Sequence, residues 1–326
     1  MTRLLIAATL SAGLCVLSVG TPLAQTQRRH ATSMLDMTMP EFEAAIEKTD
    51  VVLIPMGSIE EHGAHLPLSS DAITSLGQVN EVQRYLRARR IETIVGPPLN
   101  IGLTAETGDF TPSGTYPYPG SLTIRADTFV ALYLDVLHSL HDKGLRRAFL
   151  FSGHSAASQG VAMARVAREA TRTIPGMQVY ALVPSESLER FRLAPEPSLI
   201  SLETYRNFEL LTTLLGSGSE PPRTNHADGV ETSLMLFYRP DLVRAGYRRA
   251  AISTSTVFFA AGQSGNRADN PSGTGGFPSD RASASVGKRL LDYRTAVMGD
   301  AIARQLQIKP RTDERHLHAL RLGLFR

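Results

Sequence analysis

The sequence predicts an α/β fold in which an open, mostly parallel sheet is covered by helices on both faces. Two observations predict it. Brief apolar runs rich in β-branched residues alternate along the chain with longer stretches of helical spacing. The runs are also continuously apolar rather than alternating, as strands buried on both faces require. A chain of 326 residues with 42% hydrophobic content is ample for the buried core that such a fold needs.

The elements follow in order. Pro40 to Lys48 (PEFEAAIEK) reads as a short amphipathic helix opened by proline. Asp50 to Pro55 (DVVLIP) is the first strand, and Ser70 to Arg90 carries helical spacing at Ile73, Leu76, Val79, Val82 and Leu86. Ile91 to Val95 is a second strand. Ala126 to Lys143 is a helix stopped by Gly144. Arg147 to Ser152 (RAFLFS) is a third strand, Ala156 to Thr173 a small-residue helix, and Gln178 to Val183 a fourth strand. Two stretches, Gly102 to Ser121 and Gly262 to Ser285, are rich in Gly, Pro, Ser and Thr and read as long loops of the lid, binding-loop or connector kind. The segment from Ser185 to Thr224, including Leu199 to Leu215, reads as an interface element or a lid.

The first residues have the order of a secretory leader: basic Arg3, an apolar stretch from Leu4 to Leu17, then small residues to Gln25. A signal peptide over residues 1–24 is expected, with a periplasmic or secreted mature protein and no membrane attachment after cleavage. Cleavage removes Cys15, the only cysteine, so any metal site is built from His, Asp and Glu. Such donors favour Zn, Mn or Fe over thiolate-held metals. The net charge is +3, and the basic residues are scattered rather than gathered into a patch, which argues against nucleic-acid binding.

Chemistry-bearing residues gather behind the strands. After the first come Gly57-Ser58-Ile59-Glu60-Glu61-His62-Gly63-Ala64-His65 and then Asp71. In open α/β sheets ligands bind beyond the carboxyl ends of the strands, and glycines at 57 and 63 let the chain turn there. Glu60, His62 and Asp71 then offer hard oxygens and an imidazole nitrogen to a divalent ion, and a carboxylate such as Asp71 can bridge two. His154, in Gly153-His154-Ser155, falls at the same sheet edge. Ser155 lacks the Gly-x-Ser-x-Gly setting of a nucleophile. A third group is His226-Ala227-Asp228-Gly229-Val230-Glu231, leading into an apolar helix. Asp228 and Glu231 are accounted for equally by a capping box, which leaves His226 as a general acid or base.

Pro55 to Pro67 with Asp71, the turn Gly153-His154, and His226-Ala227 with Glu231-Thr232-Ser233 together resemble the creatininase (creatinine amidohydrolase) family over roughly Met34 to Ala303. Gly276 to Gly287 followed by Lys288-Arg289-Leu290-Leu291 is similar to that family's closing Gly-rich loop and helix. The resemblance implies a three-layer α/β/α sandwich over residues 34–305 with a tail at 306–326, assembled as a homo-oligomer, commonly a hexamer. It implies that Glu60, His62, Asp71 and His154 hold one or two divalent ions, zinc first, with manganese or iron as alternatives, Asp71 bridging, and that His226 transfers the proton. Creatininase carries a glutamate ligand two residues after the histidine of its Gly-His turn. Here that position is Ala156, which makes Glu231 the replacement ligand. Creatininase also closes its site with tryptophan, and this chain has none, so a substrate other than creatinine is expected. The implied activity is hydrolysis of a C–N amide or lactam bond of a small, cyclic or formylated compound by a hydroxide that the metal activates. The alternatives are a metal-assisted hydrolase of C–C or peptide bonds and an exported binding protein without catalysis.

Overall fold

The computed structural model describes residues 33–104, 118–203, 205–216, 226–252 and 271–307. The expected leader (1–24), most of the first Gly/Pro-rich loop (105–117), the first part of the second (262–270), residues 217–225 and the tail beyond residue 307 lie outside the described residues.

Among the described residues five parallel strands form one sheet: β1 (Val51–Met56), β2 (Ile94–Val95), β3 (Arg147–Ser152), β4 (Gln178–Pro184) and β5 (Leu199–Leu202), in the order β2-β1-β3-β4-β5. Strand residues alternate between two cores, as the two-residue period of a strand dictates. Val51, Leu53, Phe149, Phe151, Tyr180 and Leu182 pack with helices α2 (Ser70–Arg87), α6 (Phe208–Leu215), α7 (Gly229–Tyr238) and α8 (Ala284–Gln305). Val52, Ile54, Met56, Ala148, Leu150 and Val179 face α1 (Met39–Ile46), α3 (Ala126–Asp142) and α4 (Ala157–Thr173). The arrangement is the three-layer α/β/α sandwich. Among the described residues no helix is long and apolar enough to cross a membrane.

The strand order reverses between β1 and β3. The chain runs outward from β1 to β2 and then returns to place β3 on the other flank of β1, in register from Val51 opposite Arg147 to Met56 opposite Ser152. Loops leaving β1 and β3 therefore diverge and open a crevice at their carboxyl ends. Both histidine-bearing turns are those loops.

Several boundaries differ from the sequence reading. The strand expected over Ile91 to Val95 shortens to Ile94–Val95, because Arg90 adopts a left-handed φ of 63° and the Ile91 N–H still bonds the Leu86 carbonyl. α8 opens at Ala284 with the Ser283 hydroxyl accepting from the Val286 N–H, so Gly287 falls inside the helix rather than in the loop before it. The stretch from Ser185 is built into the fold where it is described. Ser185–Phe191 is a short helix, α5, Leu199–Leu202 completes the sheet beside β4, and Leu210, Leu211 and Leu215 enter the core.

Candidate metal centre

The turn after β1 and the first turn of α2 are held against the end of β3. A Cβ on Gly57 would stand 2.6 Å from Ala72 Cα, and one on Gly153 would stand 2.6 Å from the Asp71 carbonyl oxygen. Side chains at either position would push α2, and Asp71 with it, out of the crevice. Gly57 thus serves close approach, whereas Gly63, at φ 62°, serves the left-handed turn that the sequence suggested. Asp71 sits in the first turn of α2, where a negative charge suits the helix dipole.

All six residues singled out from the sequence meet here. Glu60, Asp71 and His154 offer atoms within 4.8 Å of one another, and so do His62, Asp71 and Glu231. Asp71 belongs to both triads. Glu60, His62 and His226 form a third, so the His226 ring stands within ligand reach as well as beside the centre. His62 and His226 pack ring against ring, 4.6 Å between centroids. Ser155 is exposed and takes no part.

Each histidine turns one ring nitrogen to a backbone carbonyl and the other to carboxylates. His62 Nδ1 lies 3.0 Å from the Glu60 carbonyl, His154 Nε2 2.9 Å from the Leu103 carbonyl, and His226 Nε2 2.8 Å from the Glu61 carbonyl. A carbonyl only accepts, so these nitrogens carry the protons and the opposite nitrogens are set toward the crevice. Those are His62 Nε2, 3.3 Å from Asp71 and 3.5 Å from Glu231, and His154 Nδ1, 2.8 Å from Glu60 and 3.1 Å from Asp71. The third, His226 Nδ1, stands 3.9 Å from Glu60. Backbone carbonyls that fix the tautomer of a histidine in this way are the usual outer shell of a metal-ligating imidazole.

The donor set fits a divalent ion on a second ground. His62 Nε2 and Asp71 Oδ2 are fully buried and make no hydrogen bond, although charged neighbours stand close. Orphaned polar atoms of this kind are costly unless something else satisfies them. The electrostatics agree. Burial opposes charge on every member, yet the Asp71 and Glu231 carboxylates push His62 up to about 10, and Glu60 with Glu61 pushes His226 up to about 9. The His62 and His154 rings hold Asp71 well below the usual carboxylate range against the effect of burial. In the absence of metal the cluster takes up protons as its cations.

Glu231 does not close the capping box. Asp228 does cap α7, accepting from the N–H groups of Val230 and Glu231, while Glu231 accepts from the Ala227 N–H at 2.6 Å and turns its carboxylate toward His62. Burial and the neighbouring Glu231 charge push Asp228 up to about 7. Its other oxygen accepts from the Phe277 N–H, tying the His226 segment to the residues before α8.

Sequence reasoning left some participants unassigned. Glu61 is buried beside His226, its carboxylate 3.3 Å from Nε2, and its place inside the first motif was the available signal. His65 bonds the Thr232 hydroxyl at 3.0 Å, and burial together with the nearby His62 charge lowers it to about 4, which keeps it neutral. The Leu103 carbonyl carries no side-chain signal.

The chain matches the family model Creatininase, described as creatinine amidohydrolase, over residues 35–302. It is 28% identical to a creatinine amidohydrolase of Pseudomonas putida over 214 residues, which cover 64% of this chain and 72% of that protein. Among solved structures it resembles a manganese creatininase with 23% identity and a TM-score of 0.62, covering 84% of this chain and 98% of the other. A creatininase mutant of Zn–Zn type matches with 22% identity and a TM-score of 0.60 over the same shares. With a model match that spans most of its length and a buried carboxylate–histidine cluster at the sheet's switch point, this chain belongs to the creatininase family.

Proposed function

We propose that this creatininase-family hydrolase cleaves a C–N amide or lactam bond in a small, cyclic or formylated substrate with the help of divalent metal, zinc or manganese, which the carboxylate–histidine cluster around Asp71 would hold. Glu60, Asp71 and His154 would hold one ion, and His62, Asp71 and Glu231 the other. The observation that carries the reading is the position of Asp71 in both triads, each completed by one histidine whose tautomer a carbonyl fixes. Related structures of Mn and of Zn–Zn type support the choice of metals.

Divalent ions in such a site supply Lewis acidity toward a carbonyl oxygen and a lowered pKa for water. The chain's own groups do the rest. His226, with Nε2–H tied to the Glu61 carbonyl, presents Nδ1 to take a proton from the attacking water and return it to the departing nitrogen. Glu231, supplied by α7, stands in for the carboxylate missing at Ala156. Burial of the carboxylates and imidazoles strengthens each electrostatic contact by excluding water. Export to the periplasm or beyond is part of the proposal and rests on the leader-like residues 1–24. Assembly as a homo-oligomer rests on the family resemblance.

The test is a hydrolysis screen of creatinine, other small lactams and formamides with protein loaded with Zn or Mn. Turnover of at least one such compound, lost in both His62→Ala and Asp71→Ala, is expected. Turnover retained in both variants would sink the reading.

A further inference from the structure

Gln159, on the first turn of α4, is completely buried and reaches two backbone segments that both hold His154. Its Oε1 accepts from the Leu103 N–H at 2.9 Å, and its Nε2 donates to the Ser152 hydroxyl at 2.7 Å. Leu103 in turn offers its carbonyl to His154 Nε2 at 2.9 Å, with the Ser158 hydroxyl more distant at 3.4 Å. Ser152 accepts from the His154 N–H at 3.1 Å and donates to the His154 carbonyl at 2.8 Å. One amide therefore fixes the acceptor that sets the tautomer of the His154 ring and the hydroxyl that clamps its backbone at both ends. These hydrogen bonds run in mutually consistent directions, and a buried polar network satisfied in this way is rigid.

We infer that Gln159 is a positioning residue, which presets the His154 imidazole for metal through Leu103 and Ser152. The inference rests on the metal reading given above. Gly102 belongs to the same device, since a Cβ there would overlap the Gln159 amide oxygen. A glycine before Leu103 is what lets the amide reach the Leu103 N–H. Nothing in the six chemistry-bearing residues names Gln159, because it acts on His154 only through these two intermediaries.

The experiment is a competition titration of the full chain with Zn²⁺ against a chromophoric chelator. It compares the wild type with Gln159→Met, which keeps the length and removes both hydrogen bonds, and with Gly102→Ala, which displaces the amide while retaining the glutamine. Gln78→Met serves as the control, because Gln78 is also buried and donates to the Thr295 hydroxyl at 2.9 Å far along α2. Loss of an outer-shell partner of a metal-ligating histidine weakens metal binding by about 10- to 100-fold; Gln159 acts one step further out, so a loss at the lower end of that range is expected for Gln159→Met and Gly102→Ala but not for Gln78→Met. The ¹H shift of the His154 Nε2–H in the zinc-loaded protein, set by its bond to the Leu103 carbonyl, should move upfield in Gln159→Met and stay unchanged in Gln78→Met. Wild-type affinity in Gln159→Met, or in Gly102→Ala should the first variant not fold, overturns this inference and leaves the metal reading standing. A wild type that takes up no Zn²⁺ overturns both.

Discussion

His62 Nε2 faces Glu231 Oε2 at 3.5 Å, although the two residues come from distant parts of the sequence, one from the turn after β1 and the other from the first turn of α7. Only the docking of α7 against α2 and α8 creates the pair, and it gives the second triad its third donor. Glu231→Gln keeps an acceptor for the Ala227 N–H and removes the charge. The variant is expected to fold and to lose the ion of the His62 triad while keeping that of the His154 triad, because Glu231 belongs to the former alone. Elemental analysis of dialysed protein checks this.

Metal loading should release protons. His62 is held up to about 10, and the Glu60 and Asp71 carboxylates hold His154 well above the ordinary histidine value, in the metal-free protein, so both ligand imidazoles are charged at neutral pH, while a ligand imidazole must be neutral. Calorimetric titration with Zn²⁺ in buffers of different ionisation heat should show net proton release at pH 7, and apparent affinity should fall steeply as pH is lowered. An uptake without proton release would contradict the cluster's charge state.

The same shifts set the stability of the metal-free protein. The folded-state values of His62 and His226 lie above the ordinary histidine value of 6.5, so their stabilising contribution is complete below that value. It is lost as pH rises through about 9 to 10. Urea unfolding of the chelator-treated protein should therefore weaken between pH 7 and 10, and bound zinc should flatten that dependence.

His226→Gln tests the proton-transfer role separately from metal binding. Removing a positioned acid–base group costs about 10²- to 10⁴-fold in rate, and that loss is expected with metal content unchanged. Loss of metal instead would make His226 a ligand through its triad with Glu60 and His62.

Gly153→Ala probes the close approach that positions Asp71. The added methyl would meet the Asp71 carbonyl at 2.6 Å and the Ser75 side chain at 3.0 Å, and overpacking of this kind costs about 1–3 kcal/mol. Both the thermal midpoint and metal affinity should fall.

The sequence already displays β1, β3, β4 and the long helices, because their apolar runs and periodicities reflect burial on both sheet faces and on one helix face. It also displays all six clustered side chains. β5 was invisible: Leu199–Leu202 is four residues long, preceded by prolines at 195 and 197, and owes its strand state to the free edge of β4. The partners that orient the site were hidden for a different reason. The carbonyls of Glu60, Glu61 and Leu103 act through the backbone, and Gln159 acts through Leu103, so no residue type at those positions announces a role. Of the two readings open for Glu231, the capping box is not the one formed, because its carboxylate accepts from the Ala227 N–H and turns toward His62.

The most direct measurement is the metal content of the wild type and of Asp71→Ala, determined by elemental analysis on protein purified without its leader-like segment. Close to two ions per chain, lost together in the variant, is the result expected from a carboxylate shared by two triads. A wild type that holds no metal and takes up none from Zn or Mn would contradict the hydrolytic centre and leave a binding protein on the same scaffold.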